Sequence, residues 1–276
     1  MTRKRLSNID FVSVMHPDDK KTIEMLNGLK IPYTNYTFRG FLHATTSKYR
    51  EAYNEVENQG EGINITRNSL PQMYRQLEEA CGILGIKDIP AYSTDWFYGP
   101  YHFSNGEEHR RIVMMSGSAD LFTDAEMAFV LGHELGHMAC GHKPYHMLLE
   151  TFYMPFVNDA AFKLWATVIK LPLMEWYRIS DYTADRVGLL CCQNINAALS
   201  TMIKKAGLPK KCYDNIQIED FLKQAIEFEE NFKDTMDKAI KFLSLRSAEF
   251  PWLVVRAGKL YEWYKHGDYQ QIINNQ

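Results

Sequence analysis

The sequence predicts a mainly helical α+β fold, on three observations. Helical hydrophobic periodicity recurs along the chain and dominates it after residue 123. One β-prone region, 91 to 116, carries two strand-like runs flanking Asn105-Gly106, a strong hairpin signal. Directly after it comes a capped, apolar helix pattern that contains His133-Glu134-Leu135-Gly136-His137.

Residues 1 to 15 show no regular pattern and are expected to be poorly ordered. His16-Pro-Asp-Asp19 opens a helix through Ile23, Leu26 and Leu29, which Asn27-Gly28 and Ile31-Pro32 end. A polar, helix-prone segment from 44 to 58 closes at Gly60-Glu-Gly62, and Ile63 to Thr66 is strand-like. Ser69-Leu-Pro71 starts a helix whose stripe is Met73, Leu77, Ala80, Cys81 and Leu84, with Gly85 as its stop.

Ala91 to Ser104 is rich in aromatic and β-forming residues, and Arg111 to Ser116 is a second strand. Together they predict a small antiparallel sheet beside the next helix; the aromatics of this sheet either line a free edge that receives an extended substrate or are simply core. Thr123-Asp-Ala-Glu126 reads as a capping box for that helix, which Gly141 stops. Pro172 is expected to kink or restart a helix carrying Glu175 to Cys192, and Ile195 to Ala206, Ile218 to Leu245 and Trp252 to Lys265 complete the helical half.

With 276 residues, 46% of them hydrophobic, the chain suits one domain over 1–276: a core from 66 to 276 and a helical N-terminal segment, 1–65, expected to pack over the cleft. A net charge of -3 without basic blocks argues against nucleic acid as a partner. The only apolar run near the start, Phe11 to Met15, is too short for a signal peptide. Five cysteines, at 81, 140, 191, 192 and 212, show no paired spacing and read as reduced thiols, which points to the cytoplasm. Asp159, Lys163 and Lys170 interrupt the most apolar region, Met154 to Tyr177, so no transmembrane segment is expected, nor a peripheral membrane contact.

His133 and His137, four apart on a helix, share one face, where both imidazoles can reach one metal ion. Glu134 lies one step round, able to reach a water on that metal without being a ligand. The bland alternative is a buried helix with incidental histidines. The metzincin spacing fails, since Cys140 and Lys143 stand where it needs Gly and His. His142, five residues after His137, is turned away from the shared face, and His146 is no better placed. A third ligand must then come from a later helix. Asp181 and Asp185, four apart in an apolar stretch, are two candidates; the alternative is a pair of surface salt bridges with Arg178 or Arg186.

His-Glu-Leu-Gly-His followed about forty residues later by Arg178-x-x-Asp181-x-x-Ala184-Asp185 resembles the CAAX prenyl protease and HtpX-like family of gluzincin metallopeptidases. The likeness extends to His16-Pro-Asp-Asp, the strand before the motif helix, and Pro251-x-x-x-x-Arg256, and is greatest to the soluble branch. It implies a zincin-like fold with one Zn²⁺ per chain, held by His133, His137 and Asp181, and with Asp185 orienting a ligand histidine. The family usually has Glu where this chain has Asp181, so the helices must approach about one methylene closer. Phe250 replaces a histidine thought to stabilise the oxyanion, which leaves Arg256 as the candidate electrophile, ahead of Tyr182 and His142.

The expected function is a zinc-dependent endopeptidase acting on proteins or peptides, with Glu134 as general base and the free sheet edge receiving an extended substrate. The alternative is a catalytically silent zinc-binding scaffold acting through protein contacts. A prenyl-peptide protease is a third option, weakened by the lack of spans to gather a lipidated substrate.

Overall fold

The computed structural model describes residues 3–6, 8–28, 48–94, 102–105, 111–115, 117–151, 160–231 and 252–275. Its N-terminal part is α1 (Phe11–Val14), α2 (Pro17–Gly28), α3 (Lys48–Glu61), β1 (Ile63–Asn64) and α4 (Pro71–Leu84). Next come β2 (Ala91–Thr94), β3 (His102–Asn105), β4 (Arg111–Met115), α5 (Ser118–Leu121), α6 (Asp124–Ala139) and α7 (Lys143–Thr151). The C-terminal part is α8 (Ala160–Cys192), α9 (Ile195–Lys205), a 3₁₀ turn (Lys210–Asn215), α10 (Ile218–Asn231), α11 (Leu253–His266) and α12 (Asp268–Asn274). The expected elements at Leu29, at 44–47 and beyond 231 up to Phe250 and Pro251 lie outside the described residues.

Among the described residues the fold is mostly helical, with one small sheet in the order β1-β2-β4-β3. That sheet is mixed, where a purely antiparallel one was expected. β1 and β2 are antiparallel, as are β3 and β4, but β2 and β4 run parallel with Ala91 opposite Ile112. The physical reason is the position of β3: it lies on the outside of β4, so the chain returns along β2 in the same direction. β3, an edge strand, packs against α6.

The metal-motif helix α6 starts as its sequence dictates. Thr123 accepts from the Glu126 backbone and the Glu126 side chain accepts from the Thr123 N–H at 2.8 Å, a complete capping box. Every residue from Glu126 to Met138 is buried, because α6 is wrapped by α4, α8, α9 and β3.

Its closest partner is α8, and glycine makes that approach possible. A Cβ on Gly132 would stand 2.4 Å from Cys191 Cβ, and one on Gly136 would stand 2.8 Å from Val187 Cβ. The two backbones therefore meet where side chains are missing, which is what brings Asp181 and Asp185 within reach of α6.

α8 runs through Pro172 as one continuous helix, so the chain does not restart there. The described residues among the first fifteen are also more ordered than expected: Leu6 and Val14 are fully buried in the main core, and the Leu6 N–H bonds the Ile83 carbonyl at 2.7 Å. α2 packs on α8 through Leu26, which joins Tyr145, Leu148, Leu149, Leu173 and Trp176 in a second core cluster. Among the described residues, no helix is long and apolar enough to cross a membrane.

Candidate metal centre

α6 presents His133 and His137 one turn apart, and α8 presents Asp181 opposite them. His137 Nε2 lies 3.1 Å from His133 Nε2 and 3.2 Å from Asp181 Oδ1, and His133 Nε2 lies 3.8 Å from the same oxygen. A tetrahedral ion with bonds of ~2.0–2.1 Å spaces its donors roughly 3.3 Å apart. All three residues are buried. The donor set therefore fits a divalent ion of zinc size, with two imidazoles and one carboxylate.

Electrostatics match that composition. Burial, reinforced by His133, Lys143, His142 and Arg256, pushes the His137 imidazole well below the usual histidine value, so it is neutral and free to donate a lone pair. Burial works the other way on Asp181, but the Arg256 guanidinium and then His133 hold its carboxyl below the usual range. Asp181 is accordingly an anion in a dry site.

Asp185, wholly buried one turn further along α8, takes His133 Nδ1 on Oδ1 at 2.9 Å. A carboxylate on the outer nitrogen fixes which nitrogen of His133 faces inward. Arg256, from α11, grips Asp185 with Nε at 2.8 Å and Nη2 at 2.6 Å and reaches Asp181 with Nη1 at 3.0 Å. Expected as an electrophile facing substrate, it instead spends those donors on the two carboxylates, and they raise its own affinity for its proton against the cost of burial.

Glu134, on the same helix, is buried and is no member of the donor cluster; Lys143 Nζ lies 3.9 Å from its Oε2. Lys205, from the end of α9, also feels Glu134, Asp181 and Asp185, though burial and then Arg256 lower its pKa. Neither lysine stands out in the sequence: Lys143 marks only the failed metzincin spacing, and Lys205 lies within the helix pattern of Ile195 to Ala206.

His142 is turned away from the His133–His137 face, as the spacing implies, yet it is not idle. Its Nδ1 meets His137 Nδ1 at 2.8 Å, and beyond it lies Asp19 of α2, fully buried. Sequence reasoning missed Asp19, reading His16-Pro-Asp-Asp19 only as a helix start. His146 bonds Ser180 Oγ through Nε2 at 3.0 Å. Tyr182 sits edge-on to His16.

The chain is 26% identical over 268 residues to the "Plastoglobule-localized metallopeptidase 48, chloroplastic" of Arabidopsis thaliana, covering 96% of this chain and 76% of that protein. No solved structure matches. Residues 71–237, more than half of the chain, match the model of peptidase family M48. That segment includes α6 and all three donors, and the chain therefore belongs to peptidase family M48, a family of metallopeptidases.

Proposed function

We propose that the chain is a zinc-dependent endopeptidase of zincin-like architecture. His133, His137 and Asp181 hold the ion, Glu134 is the general base, and Asp185 with Arg256 keeps the donors in place. The observation that carries this reading is the convergence of two imidazole nitrogens of α6, the helix that also bears Glu134, with one carboxylate oxygen of α8, 3.1 to 3.8 Å apart. A His/His/carboxylate set that leaves one position open suits zinc among the divalent ions.

A divalent ion held there supplies Lewis acidity toward the scissile carbonyl and acidifies the attacking water. Glu134 takes the proton from that water and delivers it to the leaving amine, so one carboxylate serves both halves of the reaction. Lys143 Nζ lies 3.9 Å from that carboxylate. The outer edge of β3, against α6, is where an extended peptide adds as a further strand, its backbone fixed by ladder hydrogen bonds. Substrates are thus proteins or peptides with an accessible extended segment. A silent scaffold has no use for Glu134, and that alternative is not favoured.

The test is Glu134→Gln, assayed on an unfolded protein substrate with metal content measured on the same sample. The expected result is a loss of activity of about 10²- to 10⁴-fold with metal retained. Wild-type hydrolysis by this variant overturns the mechanism.

A further inference from the structure

The outer nitrogen of a ligating histidine usually meets a carboxylate, a carbonyl or water. His133 follows that rule with Asp185. His137 does not: its Nδ1 meets another imidazole nitrogen, His142 Nδ1, at 2.8 Å. Two ring nitrogens so close need one proton between them, and which ring owns it decides whether His137 can ligate.

If His137 offers the lone pair of Nε2 to the ion, its proton is on Nδ1 and it donates to His142. His142 then accepts at Nδ1 and carries its own proton on Nε2. That nitrogen lies 3.0 Å from Asp19 Oδ2, off the ideal N–H direction. Asp19 is built to receive it. Trp176 Nε1 donates to Oδ1 at 2.8 Å and Thr183 Oγ1 to Oδ2 at 2.5 Å. Burial alone would favour the neutral acid; His142 first, and then the Thr183 and Trp176 hydrogen bonds, hold Asp19 below the usual carboxylate range.

A fully buried carboxylate is costly unless it is paired, so Asp19 needs a reason. Its neighbour Asp18 already supplies an exposed first-turn acid for α2, so favouring the helix dipole does not require a second one buried against α8.

We propose that His142 and Asp19 form a positioning relay that fixes the tautomer and orientation of His137, which makes α2 part of the metal centre. The inference rests on the ligand role of His137 proposed above. Asp19 lies upstream of the matched segment, 71–237, so this contact comes from outside it.

The relay predicts what a near-isosteric change does. In Asp19→Asn the amide NH₂ turned toward His142 donates to Nε2, which drives the His142 proton to Nδ1, against His137 Nδ1. His137 must then carry its proton on Nε2 and cannot ligate.

The experiment uses the full-length protein. Zinc affinity is measured by competition with a chelating dye, the visible spectrum of the Co²⁺ form is recorded, and histidine tautomers in the ¹⁵N-labelled, zinc-loaded wild type are read from two-bond ¹H–¹⁵N spectra. Support consists of His137 protonated at Nδ1 and His142 at Nε2, with Asp19→Asn binding zinc about 10- to 100-fold more weakly and showing an altered cobalt band. Asp18→Asn, on the same helix, should change neither reading, and Thr183→Val should lower thermal stability more than it moves the cobalt band.

His142 protonated at Nδ1 in the wild type, or Asp19→Asn folded with wild-type affinity and spectrum, overturns the relay while leaving the metal site standing. Should Asp19→Asn fail to fold, the tautomer reading decides alone. His137, His142 and His146 also lie close enough to hold an ion together; two equivalents of metal in the wild type, falling to one in His146→Ala, overturn the relay in favour of a second site. A wild type that binds no metal overturns the underlying reading as well.

Discussion

Arg256 clasps Asp185 with two parallel hydrogen bonds, Nε to Oδ2 at 2.8 Å and Nη2 to Oδ1 at 2.6 Å, and all the atoms involved belong to buried residues. The same guanidinium reaches Asp181. One cation thus pairs with two buried carboxylates on one helix face. Removing it strands both. Arg256→Gln should destabilise the metal-free protein by about 3–5 kcal/mol, the usual cost of breaking a buried pair. The loss should be smaller with metal bound, because the ion supplies charge near Asp181. Arg256→Lys should fall between, keeping the charge without the fork. Urea unfolding with and without chelator checks this, and equal losses in both states would contradict it.

Asp181 carries the only negative charge among the three donors. Asp181→Ala should therefore abolish tight binding: about one equivalent of zinc is expected on the washed wild type, and a small fraction on the variant, by mass spectrometry. The apoprotein should lose little stability by comparison, since Arg256 keeps its stronger partner, Asp185. Equal zinc on both proteins would move the third donor elsewhere, with Glu175, His142 and Asp185 next in line.

What was legible in the sequence depended on how local the signal was. The capping box at Thr123 and Glu126 and the four-residue step from His133 to His137 are written within one helix, and the structure shows both. The parallel pairing of β2 with β4 is not local: it depends on where β3 inserts, and alternation cannot reveal that. Arg256 is conspicuous as a late arginine, but its partners are set by how α11 crosses α8. Asp19 was hidden for the opposite reason. Its local context, a first-turn acid after a proline, already explains it, so nothing in the chain marks it as buried beside a histidine more than a hundred residues away.

Gly132 and Cys191 set the separation of the two helices that build the site. A Cβ at 132 would lie 2.4 Å from Cys191 Cβ and 3.0 Å from Gly188 Cα, so neither side can give without moving backbone. Gly132→Ala should cost about 1–3 kcal/mol or more in thermal or urea unfolding, despite the helix propensity that alanine adds. It should also weaken zinc binding, because α8 carries Asp181. Cys191→Gly, which deletes the colliding atom, should restore part of the stability in the double variant; no recovery at all would mean that the clash is not the cause.

Acid should unfold the metal-free protein in two separable steps. His137 and His146 are fully buried, and burial above all pushes both well below the ordinary value of 6.5. The folded protein keeps them neutral while the unfolded chain protonates near 6.5. Between those two values the unfolded state binds more protons, so their contribution to stability is complete above 6.5 and is lost as the pH falls below it, at up to ~1.4 kcal/mol per pH unit for each histidine. The carboxylates behave differently. Asp19, Asp181 and Asp185 are held below the ordinary 3.8, so what they contribute is present above that value and disappears only as the pH drops through it. Urea midpoints of chelator-treated protein should therefore decline from pH 6.5 to 5 and fall again near and below 4. Replacing His146 with Gln, which cannot take up a proton, should flatten the first decline and leave the second in place. A wild-type midpoint that stays level from pH 7.5 to 5 would mean that these imidazoles are protonated, or reached by solvent, in the folded chain.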